Sequence, residues 1–105
     1  SEMCIRDRNT YLPGQGIARH IDHLQFADFI ACCTLGSGGT MVFEKNGEKI
    51  ELYTAPNSLY MMSGEARFEW KHSMVGRKSD TVNGKKIPRG TRTSVTFRSF
   101  MKPNT

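Results

Sequence analysis

The sequence predicts an all-β fold of the sandwich or jelly-roll type, with at most one short helical turn. Short runs rich in β-branched and aromatic residues recur along the 105 residues. Clusters of Gly, Asn, Pro and Ser separate these runs, as turns separate strands. Many short strands at close spacing are typical of two packed sheets.

The first half of the chain contains a strand and a hairpin. Residues 28–36 (DFIACCTLG) are mostly apolar, and a Gly-Ser-Gly-Gly turn cluster ends the run. Residues 41–44 and 49–53 are strand-like and flank Asn46-Gly47. Asn-Gly between two such runs is the strongest short signal for a β-hairpin.

The second half begins and ends with strand-like segments. Residues 58–62 form a strand-like run, and Ser63 is suited to cap the short helical turn that follows. Residues 78–90 (KSDTVNGKKIPRG) are polar, and we expect a loop there. Residues 91–100 (TRTSVTFRSF) are rich in Thr, Val and Phe, which favour a strand.

Composition narrows the possible partners and the compartment. The formal net charge is +5 and the pI is about 9.4, which favours polyanions such as nucleic acid. No apolar run approaches the ~20 residues that cross a bilayer, so we expect no membrane partner. The three cysteines, Cys4, Cys32 and Cys33, form neither a disulfide framework nor a CxxC zinc pattern. We therefore expect an intracellular, cytoplasmic protein. We also expect a monomer.

The first eight residues, SEMCIRDR, resemble a translated sequencing-adapter remnant. Such remnants are excluded from fold reasoning, and a disordered natural terminus is the alternative. On this interpretation residues 9–105 form the domain, as a fragment that begins at Asn9.

The segment IARHIDH contains the first candidate site. His20 and Asp22 are two residues apart, so on a strand their side chains share one face, whereas His23 faces the other way. His72 is the only other histidine. Two histidines and one carboxylate form the facial triad of non-haem Fe(II) oxygenases, although the same ligands also hold Zn or Mn. A surface polar pair is the alternative explanation of a lone H-x-D.

The C-terminal strand contains the second candidate site. Arg92, Ser94, Thr96 and Arg98 occupy alternate positions and so share one face. Buried guanidinium groups need partners, and a dicarboxylate supplies them through paired hydrogen bonds. A polar sheet face in contact with water is the alternative.

Four segments, taken together, resemble the catalytic core of the AlkB family of Fe(II)- and 2-oxoglutarate-dependent dioxygenases. They are NTYLPGQGIARHID, ACCTLGSGGTMVF, NSLYMMSGEARFEWKH and RTSVTFR, and they cover most of residues 9–98. The combination of N-x-Y, H-x-D, a distant His and two arginines six residues apart makes the resemblance specific. The first segment is most similar to AlkB homologues fused to a tRNA methyltransferase, and it also fits bacterial and viral AlkB-like proteins. The resemblance implies a double-stranded β-helix, the jelly roll of this family.

The resemblance also implies a role for each site residue. The iron ligands would be His20, Asp22 and His72. The residues that bind 2-oxoglutarate would be Asn9, Tyr11, Arg92, Ser94 and Arg98. Among these, Arg92 would pair with the distal carboxylate and Arg98 would lie near the metal-chelating end. Ser94 stands where the bacterial repair enzyme has Asn.

The implied activity is oxidative hydroxylation or demethylation of a modified or alkylated base in RNA or DNA. The reaction would use Fe(II), 2-oxoglutarate and O2 and would give succinate and CO2, with formaldehyde when an N-methyl group is removed. An AlkB-like oxygenase acting on protein and a non-catalytic basic RNA-binding β-domain are the alternatives.

The chain also departs from the family pattern. Leu24 stands two residues after Asp22, where the bacterial DNA-repair enzyme has an acidic residue near the damaged base. The nucleotide-recognition lid that precedes N-x-Y in the family has no counterpart after residue 8. The first departure weakens the expectation of alkylated-DNA repair, and together they leave tRNA or another substrate open.

Overall fold

The computed structural model describes residues 4–100 and contains ten strands and one short helix. The strands are β1 Cys4–Tyr11, β2 Ile17–His20, β3 Ile30–Gly36, β4 Gly39–Lys45, β5 Glu48–Thr54, β6 Ser58–Met62, β7 Lys71–Met74, β8 Ser79–Val82, β9 Lys85–Pro88 and β10 Arg92–Ser99. The helix, α1, spans Gly64–Phe68.

Eight of the strands form two four-stranded sheets, and the pairs within them are antiparallel. One sheet has the order β1-β10-β3-β6 and the other has the order β2-β7-β4-β5. The chain crosses between the sheets at most connections, as in a jelly roll. The predicted all-β jelly roll with one helical turn is therefore confirmed.

Both Asn-Gly pairs in the chain form hairpin turns. Asn46 and Gly47 have φ values of 49° and 82° between β4 and β5, where the hairpin was predicted. Asn83 and Gly84 have φ values of 50° and 79° between β8 and β9. The prediction of a loop over residues 78–90 is therefore wrong. The lysines and the proline in this segment have low strand propensity, so composition alone does not indicate strands there. Asn-Gly is the signal for the hairpin, because both residues readily adopt the positive φ values of its turn.

The helix begins as predicted but is capped differently. Ser63 is the N-cap residue and is extended, yet its side chain makes no capping hydrogen bond. The amide of Gly64 donates instead to Asp28 Oδ1 at 2.6 Å. A carboxylate that is distant in sequence thus satisfies the first turn and ties it to the loop before β3.

The space between the sheets is unusually polar. The buried apolar side chains of residues 4–100 are Ile30, Cys32, Met41, Val42, Met62 and Met74. The buried polar and charged residues are more numerous: Asp22, Thr34, Thr40, Thr54, Arg67, His72, Asp80, Arg89, Arg92, Ser94 and Thr96. Buried polar groups need partners, so this interior is organised around hydrogen bonds and a site.

The expected adapter remnant overlaps β1. Cys4 to Arg8 pair with β10 from Ser99 to Val95, while residues 1–3 lie outside the described residues. The pairing does not test where residues 1–8 come from, and the proposed boundary at Asn9 stays a prediction. No helix among the described residues is long and apolar enough to cross a membrane.

Candidate metal and 2-oxoglutarate site

Two histidines meet between adjacent strands. His20 on β2 is the register partner of His72 on β7, and their ring centroids are 4.2 Å apart. Asp22 lies beyond the end of β2, so the predicted strand alternation does not place it. His23 is exposed and accepts a hydrogen bond from the Gln25 amide at Nδ1, away from the pair.

Arg67 positions the loop that contains Asp22. Arg67 is 1% exposed, and its guanidinium donates to four backbone carbonyls. The acceptors are the carbonyls of Asp22, His23, Phe26 and Ala27, at 2.8 to 3.2 Å. This buried cation fixes the loop through four carbonyl acceptors.

The three candidate ligands converge on one point. Asp22 Oδ1 lies 3.3 Å from Nε2 of His20 and 3.3 Å from Nε2 of His72. The donor atoms all lie within 4.8 Å of one another. His20 Nδ1 donates to the Ala18 carbonyl at 2.8 Å, because a carbonyl oxygen can only accept. In the neutral ring Nε2 therefore has its lone pair directed toward the carboxylate, an arrangement that a cation between them stabilises.

Asp22 is ionised in this environment. Burial raises its pKa, but hydrogen bonds to His72 and Arg98 outweigh burial and hold the pKa well below its usual range. Arg98 Nε donates to Asp22 Oδ2 at 2.7 Å, which leaves Oδ1 directed at the histidines. Arg98 Nη1 also donates to Asp7 at 2.6 Å. Asp7 is not among the predicted site residues, because it lies within residues 1–8, which resemble an adapter remnant.

Arg92 is a buried cation directed into the interior. It is 5% exposed, and Nη2 donates to Thr34 Oγ1 at 3.1 Å. Its Nε has no partner, and no carboxylate among residues 4–100 forms an ion pair with it. The guanidinium also lies over the Tyr11 ring, 5.8 Å from its centroid. Unused donors on a buried guanidinium fit an anionic ligand.

One cavity brings together all eight predicted site residues. The lining includes Asn9, Tyr11, His20, Asp22, His72, Arg92, Ser94 and Arg98. The inward face of β10 is as predicted, since Arg92, Ser94 and Thr96 are buried while Val95 and Phe97 lie on the other face.

The cavity also contains residues that sequence reasoning did not select. They are Ile17, Cys32, Met41, Tyr60, Met62 and Met74, while Thr96 lies in the cavity on the predicted inward face of β10. Burial raises the pKa of the Tyr60 hydroxyl, with the Cys32 thiol beside it as a further cause. Cys32 and Thr34 occupy alternate positions of an otherwise apolar strand, and that signal could have identified their inward face.

Comparison with known proteins assigns the family. Residues 8–98 match the 2OG-Fe(II) oxygenase superfamily. The chain belongs to this superfamily. Its cofactors are accordingly Fe(II) and 2-oxoglutarate, and the residues present fit both groups. Two imidazoles and a carboxylate suit the metal, and the guanidinium of Arg92, whose Nε has no hydrogen-bond partner among the described residues, suits the diacid.

The relatives place the chain among the AlkB-like members of the superfamily. Uncharacterized protein L905 of Acanthamoeba polyphaga mimivirus is 46% identical over 98 residues, covering 90% of this chain and 47% of that protein. The tRNA (carboxymethyluridine(34)-5-O)-methyltransferase ALKBH8 of Macaca fascicularis is 38% identical over 108 residues, covering 86% and 16%. The mitochondrial alpha-ketoglutarate-dependent dioxygenase alkB homolog 7 of Bos taurus is 34% identical over 88 residues, covering 80% and 40%.

This oxygenase chain spans less than half the length of each of these relatives. Among solved structures, the cysteine peptidase Peruvianin-I from Thevetia peruviana latex has a TM-score of 0.62 at 12% identity, covering 96% of this chain and 53% of that chain. At this identity the likeness is one of fold alone.

Proposed function

We propose that this AlkB-like chain catalyses oxidative hydroxylation or demethylation of a modified or alkylated base in a nucleic acid. The convergence of His20, Asp22 and His72 in the same cavity as Arg92 supports the proposal. A metal-ligand set alone would suit several enzymes. The buried guanidinium of Arg92, which no carboxylate of residues 4–100 neutralises, favours a diacid cosubstrate in addition.

The three ligands would hold Fe(II) on one face. Nε2 of each histidine and Oδ1 of the aspartate are available, since His20 Nδ1 is committed to a carbonyl and Oδ2 of Asp22 is committed to Arg98. With 2-oxoglutarate and O2, iron bound here supplies the chemistry that oxidises a substrate C–H bond and releases succinate and CO2. Arg98 acts on the aspartate and keeps it ionised and oriented.

The wall opposite the ligands would hold 2-oxoglutarate. Arg92 supplies the cation for the distal carboxylate, and the hydrogen bond from Arg92 to the Thr34 hydroxyl orients the guanidinium. Asn9 and Tyr11 line the same cavity from β1 and offer an amide and a phenol to the diacid. Ser94 faces inward beside them, with a shorter side chain than the Asn of the bacterial repair enzyme.

A nucleic acid substrate is supported by charge and by one relative. The net charge of +5 favours a polyanion. The name of ALKBH8 describes a tRNA-modifying enzyme, and this chain matches 16% of it. Leu24 is 66% exposed at the position where the bacterial repair enzyme is acidic, so we place RNA, and tRNA first, ahead of alkylated DNA. A target base would have to leave its stack to reach the cavity.

The thiols of Cys32 and Cys33 are free, which supports a reducing cytoplasmic setting.

The test measures binding and turnover separately. The purified chain is titrated anaerobically with Fe(II) and 2-oxoglutarate, then exposed to O2 with tRNA, methylated single-stranded DNA or methylated peptide. Succinate and formaldehyde are quantified. We expect substrate-stimulated succinate formation with a nucleic acid, and His72→Ala should abolish both iron binding and turnover.

His23→Ala is the matched control, because His23 is exposed and directed away from the ligands. It should leave iron binding and succinate formation unchanged. Stimulation by the peptide alone would move the assignment to a protein oxygenase. Iron-independent nucleic acid binding without any succinate would instead indicate a non-catalytic binding domain.

A further inference from the structure

The net positive charge of this protein is concentrated in one segment. Residues 77–92 contain six basic residues and one acidic residue, a net charge of +5. The rest of the chain contains nine basic and nine acidic residues and is neutral overall. The segment contains the β8–β9 hairpin and its flanks, between His72 on β7 and Arg92 on β10.

Two of the six cations, Arg89 and Arg92, are buried. Arg92 faces the cavity, and Arg89 forms a paired hydrogen bond with Asp80, through Nε to Oδ2 and Nη2 to Oδ1, each at 2.8 Å. Asp80 also accepts from the Thr40 amide at 3.2 Å, and Arg89 donates to the Val75 carbonyl at 2.8 Å. These contacts attach the hairpin to the start of β4 and to the end of β7, so its position relative to the sheets is fixed.

The other four cations face outward. Lys78, Lys85 and Lys86 are exposed and Arg77 is half-exposed. Among residues 4–100, no carboxylate lies within ion-pair distance of any of the four. Lys78 and Lys85 are separated by about 13 Å along the hairpin, at roughly 3.3 Å per residue.

The β4–β5 hairpin provides an internal comparison. It has the same Asn-Gly turn and two lysines, Lys45 and Lys49, at its tip. There, Lys45 pairs with Glu65 and Glu69, and Lys49 pairs with Glu44. One hairpin is therefore neutralised by acids and the other is not.

The β8–β9 hairpin also borders the candidate site. The Gly14 amide donates to the Arg77 carbonyl at 3.2 Å, which joins the hairpin base to the turn after Tyr11. Three residues next to these segments line the cavity. Tyr11 precedes the turn, and Met74 and Arg92 flank the hairpin.

We propose that the outward cations of the β8–β9 hairpin, Arg77, Lys78, Lys85 and Lys86, bind the phosphate backbone of the RNA substrate. The proposal rests on the proposed function for its choice of RNA. Phosphate contacts of this kind position a substrate without reading its sequence. Each contact to a single strand contributes about 0.7 to the slope of log K against log salt concentration.

The test compares two double variants in RNA binding. Anisotropy of a fluorescein-labelled single-stranded RNA is measured with wild type, Lys85→Gln/Lys86→Gln and the control Lys45→Gln/Lys49→Gln, which removes the same charge. Removal of two phosphate contacts should make the salt slope shallower by about 1.4 and weaken binding about 25-fold at 0.1 M salt. The control should keep the wild-type slope, and Lys85→Arg/Lys86→Arg should restore binding.

Equal slopes for the two double variants would overturn the proposal. So would displacement of RNA by polyglutamate at equal charge, since the hairpin would then favour an acidic protein partner, and so would tighter binding of DNA of the same sequence. Amide shift changes in wild type should map to residues 77–90 on RNA addition, a measurement that needs no variant.

The outcome is separable from that of the proposed function. If RNA binds through the hairpin but stimulates no succinate formation, the proposed function fails and the hairpin assignment stands. If the Lys85→Gln/Lys86→Gln protein binds and oxidises RNA like wild type, the hairpin assignment fails alone. Binding of 2-oxoglutarate should be the same in every variant.

Discussion

Replacing Arg92 by Met should abolish 2-oxoglutarate binding without destabilising the protein. Arg92 is 5% exposed, makes one hydrogen bond to Thr34 and has an unpartnered Nε. A buried donor left unpaired costs about 1–3 kcal/mol, while a hydrogen bond to a hydroxyl contributes about 1 kcal/mol. Met, of similar length, removes the unpaired donor but also leaves the buried Thr34 hydroxyl without its donor, and because these two effects offset, the free energy of unfolding should change little.

Arg89→Met is the matched comparison, because Arg89 is also buried and lies three residues earlier. Its removal leaves Asp80 as a buried charge without its partner, which costs about 3–5 kcal/mol. For a domain of this size, 1 kcal/mol shifts Tm by about 4–8 °C. Arg89→Met should therefore lower Tm by about 12 °C or more, while Arg92→Met should change it by much less.

The assay is thermal unfolding by circular dichroism, together with calorimetric titration of 2-oxoglutarate in the presence of Mn(II). Two charge-assisted hydrogen bonds to a carboxylate contribute about 1.5–3 kcal/mol each, so Arg92→Met should weaken binding at least 100-fold, roughly. If Arg92→Met lowered Tm as Arg89→Met does, or if it still bound 2-oxoglutarate with wild-type affinity, the reasoning would be refuted.

Two further predictions concern the groups that hold the scaffold. Arg67→Met should lower the free energy of unfolding by about 3 kcal/mol or more, since four carbonyls lose their donor, and should weaken Mn(II) binding by releasing the Asp22 loop; urea unfolding and metal titration check this against Arg77→Met. Burial raises the pKa of Asp80, but hydrogen bonds from Arg89 and Thr40 outweigh it and lower the pKa below 3.8. The carboxylate therefore stabilises the fold above about pH 4 and loses that effect as the pH falls through the folded pKa. The stability difference between wild type and Asp80→Asn should shrink from pH 6 to pH 3, and a constant difference would contradict the prediction.

The parts of the site that local rules govern could be predicted from the sequence. Alternation along β10 placed Arg92, Ser94 and Thr96 inward, and the structure agrees because the strand is regular from end to end. The hairpin at Asn46-Gly47 was predicted for the same reason, since its turn geometry depends on two residues.

Local rules could not predict contacts between residues distant in sequence. Asp22 lies near the histidines because Arg67, 45 residues later in the sequence, donates hydrogen bonds to its loop. The hydrophobic periodicity of a sequence does not predict such a contact. The β8–β9 hairpin was missed because its inward group is a buried aspartate, whose partner Arg89 looked like one more charge in a polar stretch. The resemblance implied Asp22 as a ligand, but the expected strand alternation does not explain its position, because Asp22 lies beyond the end of β2.

The polar interior makes stability depend on ligand concentration. A jelly roll with six buried apolar side chains and eleven buried polar ones among its described residues has less hydrophobic driving force than a domain of ordinary composition. Ligands that bind only the folded state add RT ln(1 + [L]/Kd), which is about 2.7 kcal/mol at 100 times Kd. Bound cosubstrate and metal then contribute to the stability of the folded state, so the folded fraction depends on their free concentrations. Thermodynamic linkage of this kind makes the abundance of the folded protein sensitive to the supply of the diacid.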